Sequence, residues 1–125
     1  MRKIFIIPLL FIALNLPNLK AIHEFKPINY VSIRITNYFA KIGIKTACNS
    51  KIKKSSYNNW VAISRQMKDS LNLKFNDTIE IVEPKEVKGK YIIKDLTNKR
   101  IKNTIDLLTC DKRLIGLRFG KMKLI

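Results

Sequence analysis

Residues 89–107 read GKYIIKDLTNKRIKNTIDL, and this stretch decides the fold. Lys90 to Lys94 carries the apolar run Tyr91-Ile92-Ile93, and Thr104 to Leu108 carries a second run. Both have the length and β-branched content of strands. Between them, residues 96–103 (LTNKRIKN) are polar and turn-like. An aspartate stands on each side of that loop, Asp95 after the first run and Asp106 inside the second. Aspartate is depleted in strands, so two at these positions require a reason. A short carboxylate can fix a turn by accepting hydrogen bonds from loop amides. A carboxyl in a partly desolvated groove can instead keep its proton near neutral pH and act as acid and base. The residues alone leave both readings open.

Upstream, Thr78 to Val82 alternates with Ile79 and Ile81 on one face, so residues 78–94 read as a β-hairpin around the loop 84–89. Trp60-Val61-Ala62-Ile63 is a short buried strand. Ser64 is placed to cap two helical turns over 65–71, with Met67 and Leu71 turned inward. Tyr30 to Phe39 alternates, Val31, Ile33 and Ile35 on one face against Ser32, Arg34 and Thr36 on the other. Residues 40–59 are polar and turn-rich. Downstream, a short helix is expected over 111–118, stopped by Gly120, with a closing strand over 121–125. Five or six short strands and two short helices describe a small all-β barrel.

The 125 residues allow one domain. A chain that is 46% apolar and 27% charged is globular rather than disordered. One histidine, His23, excludes a multi-histidine metal site and argues against a serine triad. The first 21 residues read as a signal peptide: Arg2 and Lys3, an uncharged apolar run from Ile4 to Leu14, then Leu19-Lys20-Ala21 as a cleavage site. That run is shorter than the roughly 20 residues a membrane span needs. The expected organisation is a signal peptide over 1–21, a leader over 22–29 and one domain over 30–125. The product is exported to the periplasm, the cell envelope or the outside.

The formal net charge is +16. Outside the cytoplasm nucleic acid is not the expected partner, so the charge points to anionic envelope polymers or lipid head groups, with most lysines forming a solvated surface. A cationic membrane-surface role lacks an amphipathic basic helix of useful length. Cys48 and Cys110 are the two cysteines of the chain. Export would permit a disulfide between them, worth about 4 kcal/mol in the chain-entropy account. Cys110 could equally serve as a small apolar residue.

The order Gly89-Lys90-Tyr91-Ile92-Ile93-Lys94-Asp95, Asn98-Lys99-Arg100, Lys102-Asn103, Ile105-Asp106-Leu107 resembles the 3D domain, a family named for three aspartates. The gap between the two aspartates matches that family residue for residue. Trp60-Val61-Ala62-Ile63-Ser64-Arg65 is similar to an upstream segment of its secreted branch, and Leu117-Arg118-Phe119-Gly120-Lys121 to its closing Phe-Gly element. The resemblance covers residues 30–125. It implies a six-stranded double-psi β-barrel, as at the C-terminus of membrane-bound lytic transglycosylase A and in the rare lipoprotein A barrel. It further implies peptidoglycan glycan strands as substrate, Asp106 as catalytic acid/base, and Asp95 in the same groove. Asn98, Lys99, Arg100, Lys102 and Asn103 would meet substrate, with no metal and no cofactor. The chain departs from the pattern at Gln66, where an aspartate is usual, at Leu96 and at Thr104. Those departures are compatible with a non-catalytic barrel that binds peptidoglycan or anionic polymers.

Overall fold

A computed structural model of the chain describes residues 29–112 and 116–125. The expected signal peptide, and all of the leader except Asn29, lie outside the described residues. The chain is predominantly β. Among the described residues six strands, β1 (Tyr30–Phe39), β2 (Trp60–Ile63), β3 (Thr78–Glu83), β4 (Gly89–Leu96), β5 (Thr104–Thr109) and β6 (Arg118–Leu124), are joined by one helix, α1 (Arg65–Ser70), and two 3₁₀ turns, Lys54–Ser56 and Lys85–Val87. They pair in the order β1-β5-β2-β4-β3-β6 and close into a barrel through β6 against β1. Two pairs are parallel, β1 with β5 and β2 with β4, and the rest are antiparallel.

Alternation sets what faces inward. Ile33 and Ile35 of β1, Val61 and Ile63 of β2, Ile79 and Ile81 of β3, and Tyr91 and Ile93 of β4 meet Ile105, Leu107 and Met122 in one core. Met67 of α1 joins them, with Leu71 packed alongside. Leu108 and Ile52 are also buried but lie outside that cluster. Leu108 shares the outward face of β5 with Asp106, beneath the connection over residues 40–59, where the Asn58 N–H donates to Leu108 O at 2.8 Å.

Two connections cross intervening strands. Residues 40–59 join β1 to β2 past β5, which lies between those strands. Residues 97–103 join β4 to β5 past the end of β2, which lies between those two. The second crossing is fixed by the Thr97 N–H donating to Ile63 O at 3.1 Å and the Ser64 N–H donating to Thr104 O at 3.1 Å. The two crossings share strands and interlock.

The expected 78–94 hairpin is present as β3 and β4. Ser64 does precede α1, but its hydroxyl makes no cap bond and instead accepts the Thr104 N–H at 3.3 Å. The helix expected over 111–118 is corrected. Residues 113–115 lie outside the described residues, the described residues beside them are not helical, and Arg118 opens β6. Arg118 is committed to pairing with Ile35 of β1. Gly120 is therefore no helix stop but an interior residue of β6, required by close approach. A Cβ there would fall 2.1 Å from Glu83 O, a backbone atom of β3. The two cysteines are free thiols, not a disulfide: Cys110 is exposed just past β5, and Cys48 lies in the 40–59 connection.

Because the obstacle at Gly120 is backbone, Gly120→Ala is expected to cost at least about 2 kcal/mol, in the upper part of the range for overpacking. Equilibrium urea unfolding checks this. A midpoint equal to that of the unsubstituted protein would contradict it.

Candidate functional site

The two aspartates meet through β2. Ala62 pairs with Asp95 on one side and with Asp106 on the other, and Asp106 pairs in turn with Thr36 of β1. Thr36, Asp106, Ala62 and Asp95 thus form one row across four strands, because directly paired residues share a face. Ordinary sheet spacing puts the aspartate backbones about 10 Å apart. Ala62 stands between them in the row.

Asp95 reaches this face by a bulge. Val61 pairs with Ile93, and the next partner pair is Ala62 with Asp95, so Lys94 and Asp95 together oppose one residue. Without the extra residue, strict alternation after the inward Ile93 would turn Asp95 into the barrel. The bulge aims the carboxylate outward and returns Leu96 to the inward side opposite Ile63.

The two carboxylates have different surroundings. Asp95 Oδ1 accepts the Ala47 and Leu96 N–H groups, both at 2.9 Å, and Oδ2 accepts the Tyr38 hydroxyl at 3.3 Å. It therefore pins the 40–59 connection to the barrel. The Cys48 N–H donating to Lys94 O at 3.5 Å adds to that attachment. At the ends of the same connection the Tyr57 hydroxyl donates to Ala40 O at 2.7 Å, and the Tyr57 ring stacks on Phe39 with centroids 6.4 Å apart.

Asp106 is half-buried and accepts one hydrogen bond, from Thr36 Oγ1 at 2.8 Å. Burial pushes its pKa above the ordinary carboxyl value. The Thr36 bond pulls the other way, and the negative charge of Asp95 adds to the rise. The result is a carboxyl that holds its proton to higher pH than a surface aspartate, with its second oxygen unbonded among the described residues. Tyr38 completes the site. Burial, then the charges of Asp95 and Asp106 and its bond to Asp95, push its pKa well up, so the phenol stays a donor. Tyr38 was not singled out from sequence. The signal was there, since the outward face of β1 continues Ser32, Arg34, Thr36, Tyr38.

The remaining expected contacts disperse. Asn98 shapes the 97–103 loop: its Oδ1 accepts the Arg100 N–H and its carbonyl accepts the Ile101 N–H, both at 3.0 Å. Lys99, Arg100 and Lys102 are exposed along that loop. Asn103 is held at its base, its N–H donating to Gln66 Oε1 at 3.1 Å and its carbonyl accepting the Arg34 N–H at 2.7 Å. Gln66 and Thr104, two departures from the 3D pattern, thus carry structural bonds, Thr104 Oγ1 donating to Lys102 O at 2.7 Å.

Neither of the two hollows beside β1 is lined by the aspartates. A hollow of about 120 Å³ opens beside Thr36, and a cleft of about 500 Å³ begins farther along β1, with Asn103 in its wall. The described His, Cys, Asp and Glu residues form no group of three that could hold a metal ion.

Asp95→Ala would strip two amides and a hydroxyl of their acceptor, at an expected cost of about 1–3 kcal/mol. Amide exchange at Ala47 should quicken, and the Asp106 carboxyl should titrate at lower pH by NMR. An unmoved Asp106 titration would contradict the charge coupling.

Asp106 makes its own stability prediction. Its folded pKa lies above the unfolded value, so its contribution is full below the ordinary carboxyl range and is lost as pH rises through the folded pKa. Asp106→Asn stays neutral throughout. At pH 7 the variant should melt a few degrees above the unsubstituted protein, and the gap should close as pH falls below the carboxyl range. A lower melting temperature for the variant at pH 7 would contradict the sign. No protein-family model matches this chain and no curated protein matches it, so the site rests on its own geometry.

Proposed function

We propose that the protein is an exported double-psi β-barrel of the 3D-domain kind that cleaves peptidoglycan glycan strands as a lytic transglycosylase. The observation that carries the reading is Asp106: a half-buried carboxyl with a raised pKa, one oxygen unbonded among the described residues, and a second carboxylate fixed across a single alanine. The interlocked crossings of β5 and β2 support the double-psi assignment. The expected signal peptide over residues 1–21 and the basic balance fit work in an anionic envelope.

Two-carboxylate glycosidases divide acid and nucleophile or base between two groups. One carboxyl suffices when the substrate supplies its own nucleophile. Protonated Asp106 gives its proton to the oxygen linking N-acetylmuramic acid to N-acetylglucosamine, and the glycosidic bond breaks. The resulting carboxylate takes the proton of the muramoyl C6 hydroxyl, whose oxygen bonds to C1 and closes a 1,6-anhydro ring. Asp106 ends protonated, as it began. Asp95, locked by three hydrogen bonds, holds a fixed negative charge that favours the protonated state of Asp106 and the cationic character of the transition state.

The test is incubation with peptidoglycan sacculi and mass spectrometry of the products. Anhydro-muropeptides are expected, with the rate falling as pH rises through the raised pKa of Asp106. Asp106→Asn should lower the rate by about 10²–10⁴, the usual worth of general acid–base catalysis. Binding to sacculi without cleavage would replace this reading by that of a non-catalytic barrel. Undiminished cleavage by Asp106→Asn would overturn the site assignment.

A further inference from the structure

A cleft of about 500 Å³ lies not at the aspartates but farther along the same outward face of β1. Arg34 and Thr36 are successive outward residues, about 7 Å apart along a strand. A chain lying over Asp106 and Thr36 therefore enters the cleft next. Its walls come from three strands. Arg34 pairs with Phe119 of β6, and Glu83 of β3 pairs with Lys121 of β6, so these four side chains share the outward face. Asn103 closes the end nearest β5. The backbone of Gly120 lines the cleft between Phe119 and Lys121.

The chemistry of the walls is specific. Phe119 is 72% exposed. A lone exposed aromatic is ordinary on a surface; this one rims the cleft, with its ring available to the apolar face of a ligand. Arg34 and Lys121 are both exposed, and neither forms an ion pair with a described residue. Glu83 is the opposing charge. Aromatic face, amide and two cations against one carboxylate suit a ring-shaped, hydroxylated ligand bearing negative charge. We infer that this cleft is a second glycan subsite, holding a carboxylate-bearing sugar unit of the strand whose neighbouring linkage lies at Asp106. Phe119 stacks on the sugar ring, and Arg34 and Lys121 take the carboxylate. The identity of the ligand rests on the glycan-cleaving reading above.

Binding separates the two claims. Full-length Asp106→Asn protein is titrated calorimetrically with two probes, soluble uncrosslinked peptidoglycan strands and an uncharged chito-oligosaccharide. Adding Phe119→Ala should weaken both about tenfold, as loss of one well-buried aromatic contact does. Adding Arg34→Gln with Lys121→Gln should weaken only the charged strand, about fivefold, and flatten its salt dependence. All these residues are exposed, and circular dichroism confirms that the variants keep the fold. Unchanged affinity in both variants, with cleavage by the unsubstituted protein intact, overturns the subsite and leaves the catalytic reading standing. Phe119-dependent binding without any cleavage supports the subsite and overturns the catalytic reading. An equal loss for both probes on removing the cations overturns their assignment to a carboxylate.

Discussion

The arrangement depends on β2, four residues paired on both edges. One connection crosses its end, the other delivers the chain into it, and its middle residue, Ala62, is the common partner of both aspartates. Val61 and Ile63 are wholly buried, which fixes its register. A slip of one residue would put a branched side chain between the carboxylates and turn Ala62 into the core. Packing of two apolar residues thus sets the distance between two charged groups on the opposite face.

The aspartates show how one residue type acquires two roles. Asp95, on a bulge, accepts the Ala47 amide of the 40–59 connection, the Leu96 amide of its own strand and the Tyr38 hydroxyl. Asp106, in regular strand, meets one hydroxyl and little water. A carboxylate that only braced a turn would have the first environment, and an acid kept ready for proton transfer would have the second. Tyr38 joins them by donating to one while lying within the field of the other.

Much of the fold was legible because β1, β3 and the start of β4 alternate cleanly, and because polar loops separate the strands. The aspartate pair was legible for a related reason: charge in a strand is conspicuous. What escaped the sequence depends on pairing partners far along the chain. The bulge at Lys94–Asp95 exists relative to Val61 and Ala62. The bond from Tyr38 to Asp95 spans two intervening strands. Ser64 looked like a helix cap because its distant partner, the Thr104 amide, is invisible locally. Phe119-Gly120 read as the end of a helix because nothing nearby announces that the backbone at Glu83 presses against it.

The closure of the barrel also orders events in time. The two neighbours of β1 in the ring are β5 and β6, which are synthesised after the other four strands of the barrel. Until they emerge, the first strand has both edges unpaired, and β2 lacks β5 on one side. Contacts so distant in sequence form slowly. Until then the barrel cannot close, and the alternating strand β1 stays exposed. That interval is when the chain is easiest to thread through a narrow passage and also when it is most exposed to aggregation.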